Sequence, residues 1–126
     1  MIYDNSRKVD NNEIVNLVFK GLYKVRVLYK DDNIWFCGPD ISNILDYSLA
    51  SNMYRMLSRE DKLYVELDKI VNTPKYKGKP KMVFISLIGI SKILSKSRLD
   101  IAREFRNWIY GEIASSIYNK WLNNIT

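Results

Sequence analysis

Two groups of polar side chains in this sequence have the types and spacing needed to contact a nucleic acid. The first group combines hydroxyl, amide and guanidinium side chains: Ser51, Asn52, Arg55 and Arg59. Asn and Arg match the hydrogen-bonding edges of adenine and guanine, and Ser bonds to a phosphate or a base. The second group is a row of cations around an aromatic residue: Lys75, Tyr76, Lys77, Lys79 and Lys81. Such lysines bind phosphates, and Tyr76 offers a ring on which a base or sugar stacks.

The residues needed for enzymatic chemistry are largely absent from the sequence. There is no histidine and only one cysteine, Cys37. This excludes Ser-His-Asp and Cys-His nucleophilic systems, and it predicts a buried thiol in a reducing compartment. Asp31, Asp32, Asp40 and Asp61 stand at turns and helix starts, where capping accounts for their carboxylates. We therefore expect no catalytic residue, no cofactor and no metal site.

Length and charge limit the class of protein. The 126 residues fit one domain, and a net charge of +6 favours a polyanionic partner. No apolar run is long enough to span a bilayer, and the polar N-terminus does not resemble a signal peptide. We predict a flexible arm over residues 1–12, a single domain over residues 13–126, and no membrane partner.

The pattern of apolar residues predicts the elements that position the two groups: an α+β domain with small antiparallel hairpins and about four to five helices. Alternating apolar residues indicate strands, and periodic apolar residues indicate helices. The predicted strands are Glu13 to Lys20, Leu22 to Lys30, Ile34 to Cys37, Leu63 to Leu67 and Met82 to Ile85. Ser86 is suited to cap a helix, and the longest periodic segment follows Ser97.

The first polar group falls on a predicted helix-turn-helix. Gly38-Pro39-Asp40 favours a helix start, Asp46-Tyr47-Ser48 breaks that helix, and a second helix is expected from about Leu49 to Leu57. Met53, Met56 and Leu57 would face inward on the second helix. A hairpin with the basic tip Lys75 to Lys81 follows, so the order matches a winged-helix module, with one helix in the major groove and the wing on the backbone.

Each feature also has a plain structural interpretation. Surface helices commonly carry polar residues, and lysine-rich loops are commonly solvated. Local ion pairs with Asp100 and Glu104 explain most of the cations on the long helix, Arg98, Arg103 and Arg106, and a secondary phosphate contact is the alternative. The adjacency of the helix pair and the basic hairpin is what favours nucleic-acid binding.

A family resemblance rests on two blocks of sequence. The segment from Trp35 to Tyr47 places an aromatic pair before an Asp-led helix, and Phe84-Ile85-Ser86 with Gly89 precedes a block from Ser97 to Trp108. In this order the blocks resemble the Bro-N domain. The resemblance implies a DNA-binding module without known catalysis. Such modules occur at the N-termini of proteins from large insect and vertebrate DNA viruses and of phage antirepressor-like proteins, often before a variable C-terminal domain.

The sequence departs from that pattern in two places. Asp46 stands where the pattern favours Gly, and Ser115 and Tyr118 stand where a Pro and a basic residue are usual, so the last helix is expected to continue further. An apolar surface around Tyr110, Tyr118, Trp121 and Leu122 would then suit a partner protein.

The leading prediction from sequence is a duplex-DNA-binding domain acting in an infected host cell, in the nucleus or at a cytoplasmic replication site. RNA remains open as a second nucleic-acid partner. The alternative is a protein-interaction module that forms a homodimer or binds a viral or host protein.

Overall fold

Five antiparallel strands form one sheet in the described part of the chain, residues 14–30, 33–66 and 81–125 of a computed structural model. The strands are β1 (Ile14–Phe19), β2 (Tyr23–Lys30), β3 (Asn33–Cys37), β4 (Lys62–Glu66) and β5 (Lys81–Ser86). Their order across the sheet is β1-β2-β3-β5-β4. The pairing of β5 with β3 therefore brings the β4–β5 hairpin into the same sheet as the first three strands.

Four helices accompany the sheet within these residues. They are α1 (Gly38–Ile44), α2 (Ala50–Tyr54), α3 (Leu87–Lys96) and α4 (Asp100–Ile125), with a 3₁₀ turn at Arg59–Asp61. The α+β class and all five strands are confirmed, with bounds that differ from the predicted ones by at most one residue.

Two tight connections explain the register of the first three strands. Three residues connect the paired Phe19 and Tyr23; Lys20 and Gly21 among them adopt positive φ, 57° and 63°, and the Leu22 N–H donates to the Phe19 carbonyl at 3.1 Å. The β2–β3 hairpin predicted from the Asp-rich break is confirmed, with Lys30 opposite Asn33.

The main core lies between one face of the sheet and the helices. Val25, Val27, Phe36 and Ile85 on the strands are buried against α3 and α4. The helices contribute apolar residues at helical spacing: Ile90, Ile93, Leu94, Ala102, Phe105 and Ile109. Ser86 caps α3 as predicted, because its Oγ accepts a hydrogen bond from the Gly89 N–H at 3.0 Å.

The opposite face of the sheet carries a second apolar cluster. Leu28, Cys37 and Phe84 are fully buried there, and Trp35 and Met82 pack against them. The burial of Cys37 was predicted, whereas an apolar character on both faces was not. Burial raises the pKa of the Cys37 thiol to about 12, so the thiolate that reacts is disfavoured.

The helix pair is present but smaller than predicted. The predicted second helix, Leu49 to Leu57, is α2 over five residues only. It ends early because the Met56 and Leu57 N–H groups bond to the carbonyls three residues before them, which tightens the chain into a turn. The helix-turn-helix geometry and the wing remain predictions.

The last helix continues through residue 125, as the departures at Ser115 and Tyr118 predicted. Arg98 precedes this helix instead of lying on it, and Arg103 pairs with Asp100 at 3.2 Å. Glu104 pairs with Lys20 across the domain at 2.6 Å, so the interpretation of that carboxylate as a local partner was wrong. None of the described helices is both long and apolar enough to traverse a bilayer.

Candidate nucleic-acid interface

The four predicted contact residues of the first group all lie at the surface. Ser51 and Asn52 are exposed on α2, Arg55 is exposed at its end, and Arg59 is exposed in the 3₁₀ turn. The opposite side of α2 is anchored by Met53, which is fully buried, as predicted. The structure therefore places all four side chains on one short stretch of chain where a ligand has access to them.

The first structural support of this stretch is an ion pair between β2 and α1. The Arg26 guanidinium donates to both Asp40 carboxylate oxygens, from Nε at 3.0 Å and from Nη2 at 2.9 Å. The Arg26 backbone N–H also donates to Asp40 Oδ2 at 2.8 Å. Arg26 lies just beyond the last residue pair between β2 and β3. Its backbone N–H therefore has no acceptor on β3, and the Asp40 carboxylate accepts its hydrogen bond instead.

Asp40 was predicted to cap its helix, and that interpretation was wrong. No side-chain cap is present at the start of α1, because the carboxylate points to the sheet and is buried there. The hydrogen bonds that the Arg26 guanidinium donates to Asp40 raise the pKa of the guanidinium, so the cation is retained at all relevant pH values. The pair fixes α1 to the sheet.

A glycine allows α1 to approach its neighbours closely. A Cβ on Gly38 would lie 2.9 Å from the Val83 carbonyl oxygen and would overlap the Tyr54 ring. Tyr54 lies on the same short helix as Ser51 and Asn52, but its ring packs over Gly38. Burial raises the pKa of the Tyr54 hydroxyl to about 12.

The second structural support joins the 3₁₀ turn to α3. Ser58 and Asp61 form a reciprocal cap, in which the Ser58 N–H and Oγ both donate to Asp61 Oδ2 at 3.0 Å. Lys92 of α3 donates to the same oxygen at 2.7 Å. The hydrogen bond from Lys92 is the main cause that lowers the pKa of Asp61. The capping role predicted for Asp61 is confirmed, and the partner on α3 is additional.

Gly89 lets α3 approach this turn. A Cβ at Gly89 would lie 2.7 Å from Ile85 Cγ2 and 3.1 Å from Asp61 Cβ. The backbone of α3 therefore runs against the turn that carries Arg59. Arg59 is adjacent in sequence to Ser58, and Ser58 Oγ lies 3.5 Å from the Lys92 ammonium.

The predicted wing is described only at its base. Lys81 is exposed as the first residue of β5, opposite Glu66 in the β4–β5 register. The other members of the second group lie outside the described residues: Lys75, Tyr76, Lys77 and Lys79. Residues 67–80 join β4 and β5 at the end of the hairpin opposite Lys62, whereas the 3₁₀ turn immediately precedes Lys62. The two predicted contact groups are therefore attached to opposite ends of β4, roughly 13 Å apart at 3.3 Å per residue.

The surface predicted for a partner protein is described in part. Tyr110 is 48% exposed on α4, and the side chains of Tyr118, Trp121 and Leu122 lie outside the described residues. Across the described residues, no group of three His, Cys, Asp or Glu side chains is arranged to hold a metal ion.

Sequence reasoning missed the residues that hold the interface in place. The sequence analysis assigned no role to Arg26 or to Lys92. The sequence did indicate that Asp40 has a partner, because an Asp beside apolar residues at a helix start needs a buried partner, but it did not indicate which residue that is. No comparable signal marked Lys92, since its partner is 31 residues away in the chain.

The fold and this surface define a small α+β domain with exposed polar side chains on a short helix and turn. Residues 24–115 match the family model described as "BRO family, N-terminal domain". The match covers well over half of the chain, and the chain belongs to this family. The family comprises DNA-binding and antirepressor-type domains and is not an enzyme family. No curated protein and no solved structure matches the chain.

Proposed function

We propose that this domain binds duplex DNA through α2 and the 3₁₀ turn. The observation that carries the proposal is the exposure of Ser51, Asn52, Arg55 and Arg59 in the segment between the ion-paired residues Asp40 and Asp61. Residues 47–59 contain no acidic residue, and the exposed carboxylate that follows them is Glu60 of the 3₁₀ turn. Membership of a DNA-binding family supports the same function.

Within this proposal the side chains have different roles. Asn52 and Arg55 read base edges, because their donor and acceptor groups match adenine and guanine in the major groove. Arg59 and the lysine row from Lys75 to Lys81 bind phosphates, and Tyr76 stacks on a sugar or base. We further propose a helix-turn-helix and wing arrangement. The domain would belong to a viral Bro-type protein that modulates viral or host gene expression, or DNA functions, in the infected cell.

Fluorescence anisotropy with labelled random duplexes tests the proposal. The protein should bind at low salt, and the logarithm of affinity should fall with the logarithm of salt by about 0.9 per phosphate neutralised. Changing Lys75, Lys77, Lys79 and Lys81 together to Ala should reduce that slope. Absence of binding to any duplex at low salt would refute the proposed function.

Base reading is tested separately by selection from a random library. Arg55→Ala should relax the selected sequence preference more than it lowers nonspecific affinity, because phosphate contacts carry no sequence information. Asn52→Ala should change the preference at a different position. An unchanged selected motif in both variants would remove these residues from the reading role while leaving phosphate binding intact.

A second candidate function is protein interaction through α4. Among the side chains that the structure describes on this helix, Ile113 is the last that packs against the core, and Ala114, Ser115 and Asn119 are exposed. These exposed positions offer a surface to a second copy or to another protein. Light scattering on the pure chain should show a dimer if a second copy binds there. A monomer with clear DNA binding would favour the first proposal alone.

A further inference from the structure

A second basic stretch of the chain meets the proposed DNA-binding surface in three dimensions. Residues 81–99 contain Lys81, Lys92, Lys96 and Arg98 and no acidic residue. The chain as a whole carries fourteen Asp and Glu against twenty Lys and Arg, so an acid-free stretch of this length concentrates positive charge. Residues 47–59 also lack acidic residues, and they carry Arg55 and Arg59.

The Asp61–Lys92 ion pair brings the two stretches together. The Lys92 ammonium lies 2.7 Å from Asp61 and 3.5 Å from Ser58, within the turn that carries Arg59. The Asp61 carboxylate accepts hydrogen bonds from Lys92 and from the Ser58 cap, and it is buried. It therefore neutralises Lys92 and adds no negative charge to the exposed surface. Glu60 is the exposed carboxylate of this turn.

Helical spacing carries the basic surface further along α3. Lys96 follows Lys92 by four residues and lies about 6 Å along the same side of the helix. Lys96 is exposed, and Arg98 is exposed just after the helix ends. A cation in the last turn complements the helix dipole, which gives an ordinary reason for Lys96. That reason does not extend to Arg98, which lies outside the helix.

We propose that α3 is a second phosphate-binding element of the same DNA surface, with Lys96 and Arg98 as its contacts. Lys92 is a positioning residue that holds the Arg59 turn against α3. The inference rests on the proposed function and assigns new residues to it. The partner chemistry is the phosphate backbone of the duplex, to which Lys and Arg side chains bind irrespective of base sequence.

Salt-dependent affinity of single and double variants tests this element. Lys96→Gln and Arg98→Gln should each reduce the salt slope by about 0.9, and the double variant by about twice that, without changing the selected sequence. Lys24→Gln is the matched control, since Lys24 is an exposed cation on β2, on the sheet face opposite α3. It should leave the slope unchanged.

A gain of affinity tests the same surface from the other direction. Glu60→Gln removes the exposed carboxylate of the turn and should strengthen duplex binding about two- to fivefold at low salt, an effect that high salt abolishes. A folding defect cannot produce this result.

The outcomes separate the two proposals. If the wild-type chain binds no duplex, the proposed function fails. If it binds, and Arg55→Ala weakens binding while Lys96→Gln and Arg98→Gln behave like Lys24→Gln, then α3 is excluded and the proposed function stands. Equal affinity of Glu60→Gln and wild type at low salt would count against the 3₁₀ turn as a DNA contact and leaves the test of α3 to Lys96→Gln and Arg98→Gln.

Discussion

The segment that carries the exposed polar side chains is fixed at two points, and the two differ in their chemistry. We call the Arg26–Asp40 pair with Gly38 the sheet joint, and the Lys92–Asp61 pair with Gly89 the helix joint. Both carboxylates are buried, with side-chain exposures of 9% and 6%. The cations differ, since Arg26 is 24% exposed and Lys92 is 43% exposed.

This difference sets how strongly each joint holds. The Arg26 guanidinium forms two parallel hydrogen bonds with one carboxylate, and a third comes from the backbone N–H. Lys92 is a flexible point charge that remains half in water. We infer that the sheet joint determines whether the segment folds, whereas the helix joint tunes where the Arg59 turn sits.

Breaking the sheet joint should give the largest loss of stability. Asp40→Ala leaves a partly buried guanidinium and a strand N–H without their partner, which costs about 3 to 5 kcal/mol of the free energy of unfolding. Urea denaturation measures the loss. Asp100→Ala is the control, because it removes an exposed i,i+3 pair with Arg103 and should change stability by less than about 0.5 kcal/mol. Equal effects of the two changes would contradict the ranking.

Breaking the helix joint should lower the free energy of unfolding less than breaking the sheet joint does, and it should also lower duplex affinity. Asp61→Asn removes a charged acceptor of three hydrogen bonds and should cost about 1.5 to 3 kcal/mol in the same urea experiment. Because the turn carrying Arg59 loosens, duplex affinity should fall in the folded protein. A stability loss as large as that of Asp40→Ala would remove the distinction between the joints.

The two glycines allow a steric version of the same comparison. Gly38→Ala places a Cβ against a backbone carbonyl oxygen that cannot move aside, and should cost about 1 to 3 kcal/mol. Gly89→Ala meets mainly the Ile85 and Asp61 side chains and gains helix propensity, so its net cost should be smaller. Gly111→Ala has no neighbour within 4 Å and should stabilise α4 by up to about 1 kcal/mol. Thermal unfolding followed by circular dichroism ranks the three.

Acid should weaken the helix joint, and alkali should weaken the packing at the sheet joint. At the helix joint, Lys92 lowers the pKa of Asp61, so its stabilisation is present above the ordinary aspartate pKa and is lost as pH falls through the folded value. At the sheet joint, burial raises the pKa values of Cys37 and Tyr54 to about 12, from ordinary values of 9.0 and 10.0. The unfolded chain loses these protons first, so stability should fall as pH rises from 9.0 towards 12.

Urea denaturation across pH separates these contributions. Asp61→Asn should flatten the acid limb of the stability profile and leave the alkaline limb in place. Cys37→Ala should flatten part of the alkaline limb, although it lowers stability at every pH by emptying a buried site. An alkaline limb unchanged in Cys37→Ala would show that the thiol does not contribute.

The connection between the joints should give the smallest effect. Asp46, in the bend after α1, adopts φ of 61°, a left-handed conformation that costs a non-glycine residue about 1 kcal/mol. Asp46→Gly relieves that strain but adds freedom to the unfolded chain, so a gain of a few tenths of a kcal/mol is expected. A clear loss in thermal unfolding would mean that the Asp46 side chain itself holds the bend.

The sequence predicted the local features of this fold better than the long-range ones. Alternation located all five strands, and Ser86 and Asp61 were identified as caps because their partners are within three residues. The Arg26–Asp40 pair was missed because it depends on where β3 ends relative to β2. The pairing of β3 with β5 was missed because no local pattern specifies a partner 47 residues away.

The candidate site was predictable to the same extent. The exposure of Ser51, Asn52 and Arg55 followed from the inward position of Met53, a property of one helical turn. The contribution of α3 was not predicted, since it requires the Asp61–Lys92 contact between distant parts of the chain. Sequence therefore identified the side chains of one element and not the neighbours that extend them.

The β3–β5 pairing also has a consequence for how the molecule forms. Cys37 is opposite Phe84, so the whole segment carrying α1, α2 and the 3₁₀ turn is a loop closed by that pair. Closing so long a loop is entropically costly and delays the contacts that depend on it. During synthesis, α3 emerges only after this segment, so the Asp61–Lys92 contact cannot form on a shorter nascent chain. The proposed DNA surface, which uses α2 and α3 together, would therefore form late in folding, after β3 and β5 have paired.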